Sequence, residues 1–309
     1  MERIFMKYPS IENRYQYKFI QRFINYFPEI VNEEYIIYEK LHGSNISFVF
    51  TKGKFYICSR NRILENEENF NGCYDVITNK YLEFIEYWKE KSLIDLNKYT
   101  FFGEIVGKGI QKGVDYGEEK NIYFFDFAIN DELMPQCYFM TITQECKCDV
   151  APIIKVCSFE EMMNYTNEFD SMILGKENNI CEGIVVKPYK KVIKFDNGSY
   201  FMLKSKNEKF SEKSKVKKNK QKDSNISENI VNLRIEFESY INENRVNNIF
   251  SKEGIINDVK DIGKYITLIL NDAKEDFEKD FDISDIDKKD QKYIFNCSHL
   301  IVKILKNNM

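Results

Sequence analysis

Histidine is nearly absent from this 309-residue sequence: His42 and His299 are the only two, which excludes a histidine-built metal cluster. The eight cysteines show no paired framework. Cys146-x-Cys148 has neither zinc-ligand spacing nor a nearby histidine, so free thiols in a reducing compartment are expected. No stretch approaches the run of about 20 apolar residues that spans a bilayer, and no membrane partner is expected. Bulk positive charge is missing too. The formal net charge is −4, so any contact with nucleic acid has to come from local patches. The opening stretch, MERIFMKYPSIENRYQYKF, is mixed and charged. Neither a signal peptide nor an apolar anchor is expected there, and the expected location is cytoplasmic.

What is present is apolar content for real cores, 43%, in a length that suits two domains. Up to about residue 205 the texture is short aromatic and β-branched runs between turn residues: YIIY, ISFVF, KFYICS, YTFFGEIVG, NIYFFDFAI, GIVVKP and YFMLKS. These predict strands. Helical stretches fall between them, at 15–26, 74–91 and 158–169, so an α+β domain built on antiparallel sheet is expected. The texture then changes. Lys204 to Lys222 holds nine lysines and two glutamates, with almost nothing apolar after Phe210, and predicts a solvated linker or a basic arm. Beyond it, 227–250, 257–279 and 290–307 carry apolar residues at helical spacing (Ile230, Leu233, Phe237, Ile241; Ile262, Ile266, Ile269). The expected organisation is a first domain over 1–210, a basic linker over 211–226 and a small all-α domain over 227–309.

One lysine stands at a seam. In YIIYEKLHGSNISFVF an alternating apolar run breaks at Lys40, passes His42-Gly43-Ser44-Asn45 and resumes. A lysine is ordinarily a solvated surface charge, but the glycine here allows a tight turn and close approach of backbone to a ligand. Such a lysine acts as a nucleophile once its proton is lost, which nearby cations and desolvation promote. Cations do recur at strands: Arg60 ends KFYICSR, Lys187 follows EGIVV, and Lys204 and Lys206 lie two apart in YFMLKSK. Carboxylates alternate with them, at Glu39, Glu104, Asp126 and Glu182. Taken singly, each is read equally well as surface charge. Taken together they suit nucleotidyl transfer, where cations neutralise a triphosphate and carboxylates hold a divalent metal or the ribose.

EKLHGSN, CSRN, FFGEIVGKGIQKGVDYG, YFFDF, EGIVVKP and LKSKNEKFSEK resemble, in order, the motifs of covalent nucleotidyltransferases. They resemble most the RNA ligase 2 family of phage double-stranded RNA ligases and kinetoplastid RNA-editing ligases. NRVNNIFSKEGIINDVKDIGKYI is similar to the helical C-terminal domain of the phage enzymes. The resemblance implies an antiparallel-sheet, ATP-grasp-like adenylyltransferase domain followed by the helical one. It implies ATP with Mg2+ or Mn2+, an RNA substrate with a nicked duplex expected, no protein partner, and a monomer. Lys40 would attack the α-phosphate of ATP and become a lysyl-adenylate, with Glu39, His42 and Asn45 beside the nucleotide. Arg60 would contact phosphate, Glu104 the ribose, and Phe125 would stack on adenine while Phe124 faces the core. Asp126 also matches a functional position. Glu182 would organise the metal through water, Lys187 would contact phosphate, and Lys204 and Lys206 would hold the α-phosphate. Phe70, Arg245 and Asp272 match positions serving the steps on RNA. One departure shows. The phage pattern has two adjacent phenylalanines where this chain reads Phe70-Asn71, which puts a wedge against the nick-flanking pairs in question.

Two other readings compete. A GTP-dependent capping guanylyltransferase shares the lysine-x-x-glycine core, but such enzymes usually carry aspartate where His42 stands and an OB domain in place of a helical tail. A catalytically inactive RNA-binding derivative would have been free to lose Lys40, Glu104, Glu182, Lys204 and Lys206. A phosphate loop in GEIVGKGIQKG is rejected, being one residue short and lacking Ser or Thr after the lysine. The acidic stretch 272–290 is read as a solvated helix face.

Overall fold

The structure is a computed structural model that describes residues 4–65, 68–213, 227–256 and 258–308. The chain divides after Asn207 into two compact units.

The first unit holds two five-stranded sheets. One has the order β1 (Glu12–Asn13), β10 (Leu203–Lys206), β9 (Gly183–Pro188), β2 (Tyr35–Glu39), β8 (Ile153–Cys157). The other runs β4 (Lys54–Ser59), β3 (Ser44–Thr51), β5 (Tyr99–Val106), β6 (Asn121–Ile129), β7 (Glu132–Leu133). Every pairing is antiparallel except β1 on β10. Among the described residues five α-helices accompany them: α1 (Tyr17–Tyr26), α2 (Cys73–Lys80), α3 (Leu82–Ile94), α4 (Gln136–Glu145) and α5 (Phe159–Asn164).

Local chemistry explains the elements. β3 and β4 close through Lys52-Gly53, whose φ values of 51° and 73° form the two-residue turn that matches strand twist. The alternation of β3 sends Ile46, Phe48 and Phe50 into a core against Phe84 and Trp88 of α3 and Phe101 and Phe124 of the neighbouring strands. A second core joins Phe23 of α1 to Tyr35, Phe195 and Phe201. A third cluster includes Tyr8, Phe102 and Met202, with Phe125 packed against it.

Some boundaries differ from expectation. The stretch 74–91 is two helices broken at Tyr81, whose buried ring donates its hydroxyl to Ile122 O. The helix α4 was not expected, because QCYFMTITQE is rich in the β-branched and aromatic residues that read as strand. Strand pairing in YFMLKS begins only at Leu203.

Among its described residues the second unit is all helical: α6 (Glu228–Ser239), α7 (Glu243–Glu253), α8 (Ile262–Asp280), α9 (Lys288–Phe295) and α10 (Ser298–Asn308). Two expected helices are each split. Asn242 caps α7 by accepting from Arg245 N, so 227–250 breaks there. The stretch 290–307 breaks at Asn296 and Cys297. Phe237, Ile269, Phe277, Ile294 and Ile301 form its core.

The expected linker also changes. Residues 211–213 pack on the helical unit: Ser211 O accepts from Asn244 Nδ2 (2.9 Å), Glu212 meets Asn248 Nδ2 (3.2 Å), and Lys213 Nζ donates to Tyr240 Oη (2.8 Å). The rest of that linker, including Lys217, lies outside the described residues. Between Lys206, the last residue of β10, and the helical unit stands Asn207 alone.

Candidate active site

Lys40 follows directly on β2, and its backbone N–H is fixed on Gly183 O at 2.8 Å. Two glycines permit the close packing around it. A Cβ at Gly43 would sit 2.1 Å from Ile105 O, and one at Gly183, with φ of 143°, would sit 2.0 Å from Ser205 O. Side chains at either position would push β3 off β5 or β9 off β10.

Glu182, just before β9, is the hub. Its Oε2 accepts from Lys40 Nζ at 2.8 Å and faces His42 Nδ1 at 3.4 Å, while Oε1 pairs with Lys206 Nζ at 3.1 Å. Burial alone would push Glu182 up, but Lys40 and then Lys206 outweigh it and hold the carboxyl well below the usual range. Lys204 stands two residues from Lys206 on β10, on the same face. The other ring nitrogen of His42 reaches Lys112 O at 3.1 Å, and its backbone N–H donates to Tyr116 Oη at 2.8 Å. The 107–120 loop is therefore fastened to the turn after Lys40.

Glu104 on β5 accepts from Gly43 N at 3.1 Å and lies opposite Asn45 in register. Burial is the main cause that pushes Glu104 up to about 7; Lys40 draws it down and Glu182 raises it again. The charge of Arg60, after β4, is felt at Glu104 as well. Lys40, His42, Asn45, Arg60, Glu104, Glu182, Lys204 and Lys206 are thus contributed by six strands or their ends.

Phe125 sits in a β-bulge. The β5–β6 register passes from Phe102 opposite Asp126 to Gly103 opposite Phe124, leaving Phe125 as the extra residue. Phe124 is fully buried in the core, and Phe125 stays partly open. The bulge is why Phe125 and Asp126, adjacent in sequence, both turn from that core.

Three expectations need correcting, and a fourth, Phe70, is constrained. Lys187 is 2% exposed and donates to Phe125 O (2.7 Å) and Asp126 Oδ2 (2.8 Å), so it supports the bulge and does not face a phosphate. The Glu39 carboxylate is buried and taken by Ser171 Oγ (2.6 Å) and Met172 N (2.8 Å), anchoring that loop. Phe70 packs one side against the first core and is only partly buried, so the core holds part of the ring expected on RNA; the next residue, Asn71, is left-handed at φ 53°, a conformation asparagine tolerates. Arg245, expected on RNA, is 1% exposed within the helical unit. Asp272, Asp276 and Glu212 surround its guanidinium, and Lys252 also pairs with Asp272. Asp276 was legible from Asp272 one helical turn away; Tyr8, Tyr38, Gln136 and Tyr116 had no local signal.

The donor set at Glu182 bears on a metal. Both its oxygens meet ammonium groups, so it offers no open direct ligand position, and it suits a hydrated cation held mainly by a nucleotide's phosphates. Among the described residues, Glu212, Asp272 and Asp276 are close enough to share an ion, but Arg245 stands among them. The eight cysteines carry free thiols. Among the described residues no helix is long and apolar enough to cross a membrane.

The RNA ligase family's sequence pattern matches residues 33–206, and that of the T4 RNA ligase 2 C-terminal region matches 223–299. The chain belongs to the RNA ligase family, of the RNA ligase 2 type. This agrees with the helical second unit and gives no support to a capping enzyme. Among solved structures the fold is shared with Naegleria gruberi RNA ligase. The form with PPi is 17% identical with a TM-score of 0.50, covering 68% of this chain and 58% of that one. A variant with ATP and Mn is 16% identical with a TM-score of 0.51, covering 68% and 57%. A further variant with AMP and Mn gives 16%, 0.51, 68% and 58%. This chain therefore spans less than two thirds of the length of those ligases.

Proposed function

We propose that this chain is an ATP-dependent RNA ligase that joins 3′-hydroxyl and 5′-phosphate ends, with a nick in duplex RNA as its substrate. The observation that carries the reading is the buried Glu182 carboxylate shared by Lys40 and Lys206, with Glu104 and Phe125 on the facing sheet. That arrangement supplies a nucleophile, cations for phosphate, an acceptor for a ribose and a ring for a base. Its relatives solved with ATP, AMP and Mn support the same cofactors here.

The chemistry follows from the charges. A triphosphate entering the cleft offers Lys204 and Lys206 a new anionic partner; with Lys206 drawn from Oε1, Glu182 becomes more basic and takes the proton lost by Lys40 at Oε2, its hydrogen-bond partner. The Lys40 nitrogen then forms a bond to the α-phosphorus while the bond to the bridging oxygen breaks and pyrophosphate departs with its electrons. Lys204 and Lys206 stabilise the charge growing on the α-phosphate oxygens, and they are preorganised on one strand. Bound Mg2+ or Mn2+ would neutralise the triphosphate, contacted by Glu182 through water. A 5′-phosphate oxygen of RNA next attacks the same phosphorus and releases Lys40. Finally the 3′-hydroxyl attacks the RNA phosphate and AMP leaves. The proposed enzyme works as a monomer in the cytoplasm without an accessory protein.

The test is incubation with labelled ATP or GTP followed by a denaturing gel. Label from ATP in the wild-type chain and none in Lys40→Ala is expected. A labelled Lys40→Ala chain means another nucleophile; label from GTP alone means a guanylyltransferase; no label at all means an inactive derivative.

A further inference from the structure

We propose that Tyr8 is a positioning residue for the nucleobase platform, holding the β6 bulge that presents Phe125 through a buried network. This rests on reading the cleft as an ATP site.

The network has no loose end. Asp126 Oδ2 accepts from Tyr8 Oη (2.5 Å) and from Lys187 Nζ (2.8 Å), and Oδ1 accepts from Gln136 Nε2 (2.6 Å). The oxygen of that amide accepts from Tyr38 Oη (2.7 Å). Lys187 Nζ closes the circuit on Phe125 O, the carbonyl of the bulged residue, at 2.7 Å. All five side chains are at most 4% exposed. They come from β2, β9, β6, α4 and the segment before β1, so the network ties both sheets together beneath Phe125.

Tyr8 acts twice on that ring. Its hydroxyl helps hold Asp126, and its own ring meets Phe125 edge-on at 5.1 Å and 74°. The same ring also packs on Phe102, tilted at 5.0 Å, the residue opposite Asp126 where the register shifts. Burial and the neighbouring Asp126 push the phenol well above its ordinary value, so it stays a donor. A buried ion pair is costly unless its remaining lone pairs are met, and Tyr8 and Gln136 meet them. Removing one donor leaves Asp126 under-satisfied, and the pair then relaxes at the expense of the bulge. Tyr8 touches no substrate; its effect passes through Phe125.

The experiment measures the rate of lysyl-adenylate formation by the full chain against ATP concentration, with melting temperature recorded for each variant. Tyr8→Phe is expected to raise the ATP KM about tenfold, as loss of a hydrogen bond to a charged group implies, while the rate at saturating ATP stays within about twofold. Tyr38→Phe, one step further out, should raise it less. Should Tyr8→Phe melt below the assay temperature, Tyr38→Phe carries the same test. The decisive comparison is with Phe125→Ala: adding Tyr8→Phe to it should raise KM no further. Independent, additive effects, or an unchanged KM in both tyrosine variants, would overturn the inference alone. No label in the wild-type chain overturns the ATP reading and this inference with it.

Discussion

Two ion clusters in this molecule are charge mirrors of each other. In the first unit a carboxylate, Glu182, is held by Lys40, Lys206 and His42; in the second a guanidinium, Arg245, is held by Glu212, Asp272 and Asp276. They differ in the charge they present outward. Both centres are sealed, Glu182 at 4% and Arg245 at 1% of side-chain surface, and both sets of partners are wetter, 16–21% around Glu182 and 13–32% around Arg245. A cluster whose outer members include lysines can exchange partners when an anion arrives. One whose outer members are carboxylates repels it, and it serves to hold its segments together: residue 212, α7 and α8. Similar charge composition thus gives a reactive centre in one place and a structural knot in the other.

The sharpest way to break the comparison is to remove a cation from each. Lys204→Ala and Lys206→Ala are each expected to cut adenylation at least about a hundredfold, since losing a preorganised charge on the reacting phosphate costs about 3–4 kcal/mol. Lys206→Ala leaves the buried Glu182 its Lys40 partner, so the melting temperature should fall less than in Arg245→Ala. Single-turnover label incorporation beside thermal melting checks both halves. A large drop in stability with little change in rate would erase the distinction.

Arg245→Ala should show the reverse pattern. It strands three carboxylates around an empty space, and breaking a buried pair by removing one partner costs about 3–5 kcal/mol. The helical unit should loosen in urea melts and nick sealing should fall with it, while label incorporation from ATP stays within about twofold. A chain ending at Asn207 should make the same split in its extreme form, forming the lysyl-adenylate and sealing no nicks. If it seals as well as the full chain, the helical unit has some other role.

How far these clusters were legible depends on distance along the chain. Lys40, His42, Gly43 and Asn45 fall within six residues, and Lys204 with Lys206 on one strand, so spacing and resemblance placed them. The helical tail was legible from period, though not its breaks, which hang on single caps such as Asn242. Alternation separates Phe124 from Phe125, but that Asp126 turns from the core with Phe125 depends on a bulge that alternation does not announce. Lys187 and Arg245 read as phosphate contacts because charge is ordinarily an outside property; their carboxylate partners lie 61 and 27 residues away or more distant still. Tyr8 meets Asp126 across 118 residues, and nothing local in KYPSIEN marks it.

Acidity offers a gentler probe of the first cluster. Burial raises Glu104 to about 7, while Lys40 and Lys206 hold Glu182 well below the ordinary carboxylate range against its burial. The signs are opposite. Glu182 contributes stability that is present above the ordinary glutamate value and lost only as pH falls through its depressed one. Glu104 binds its proton more tightly folded than unfolded, so its contribution is greatest at low pH and is lost as pH rises through about 7. Function runs the other way, because a ribose hydroxyl needs the ionised acceptor. Between pH 8 and 6 the ATP KM is expected to rise about tenfold, following the ionised fraction, and Glu104→Gln should flatten that slope. A slope that survives the substitution assigns the titration elsewhere.

The smallest expected effect falls on Lys213, and it tests whether the knot includes the start of the helical unit. As part of a basic arm this lysine would meet RNA phosphate, and Lys213→Ala would weaken RNA binding with a shallower salt dependence. Its placement argues otherwise. Nζ donates to Tyr240 Oη, lies 3.6 Å from Asp280 and stands 4.7 Å from the centre of the Tyr240 ring. More than a third of the side chain is exposed, so the ion pair is screened and contributes under about 1 kcal/mol. Lys213→Ala should therefore lower the melting temperature of the full chain slightly, and leave label incorporation from ATP unchanged. The slope of RNA affinity against salt should match the wild type, measured by anisotropy of a labelled nicked duplex at several salt concentrations. A slope lower by about one, the mark of a lost phosphate contact, would return Lys213 to the RNA.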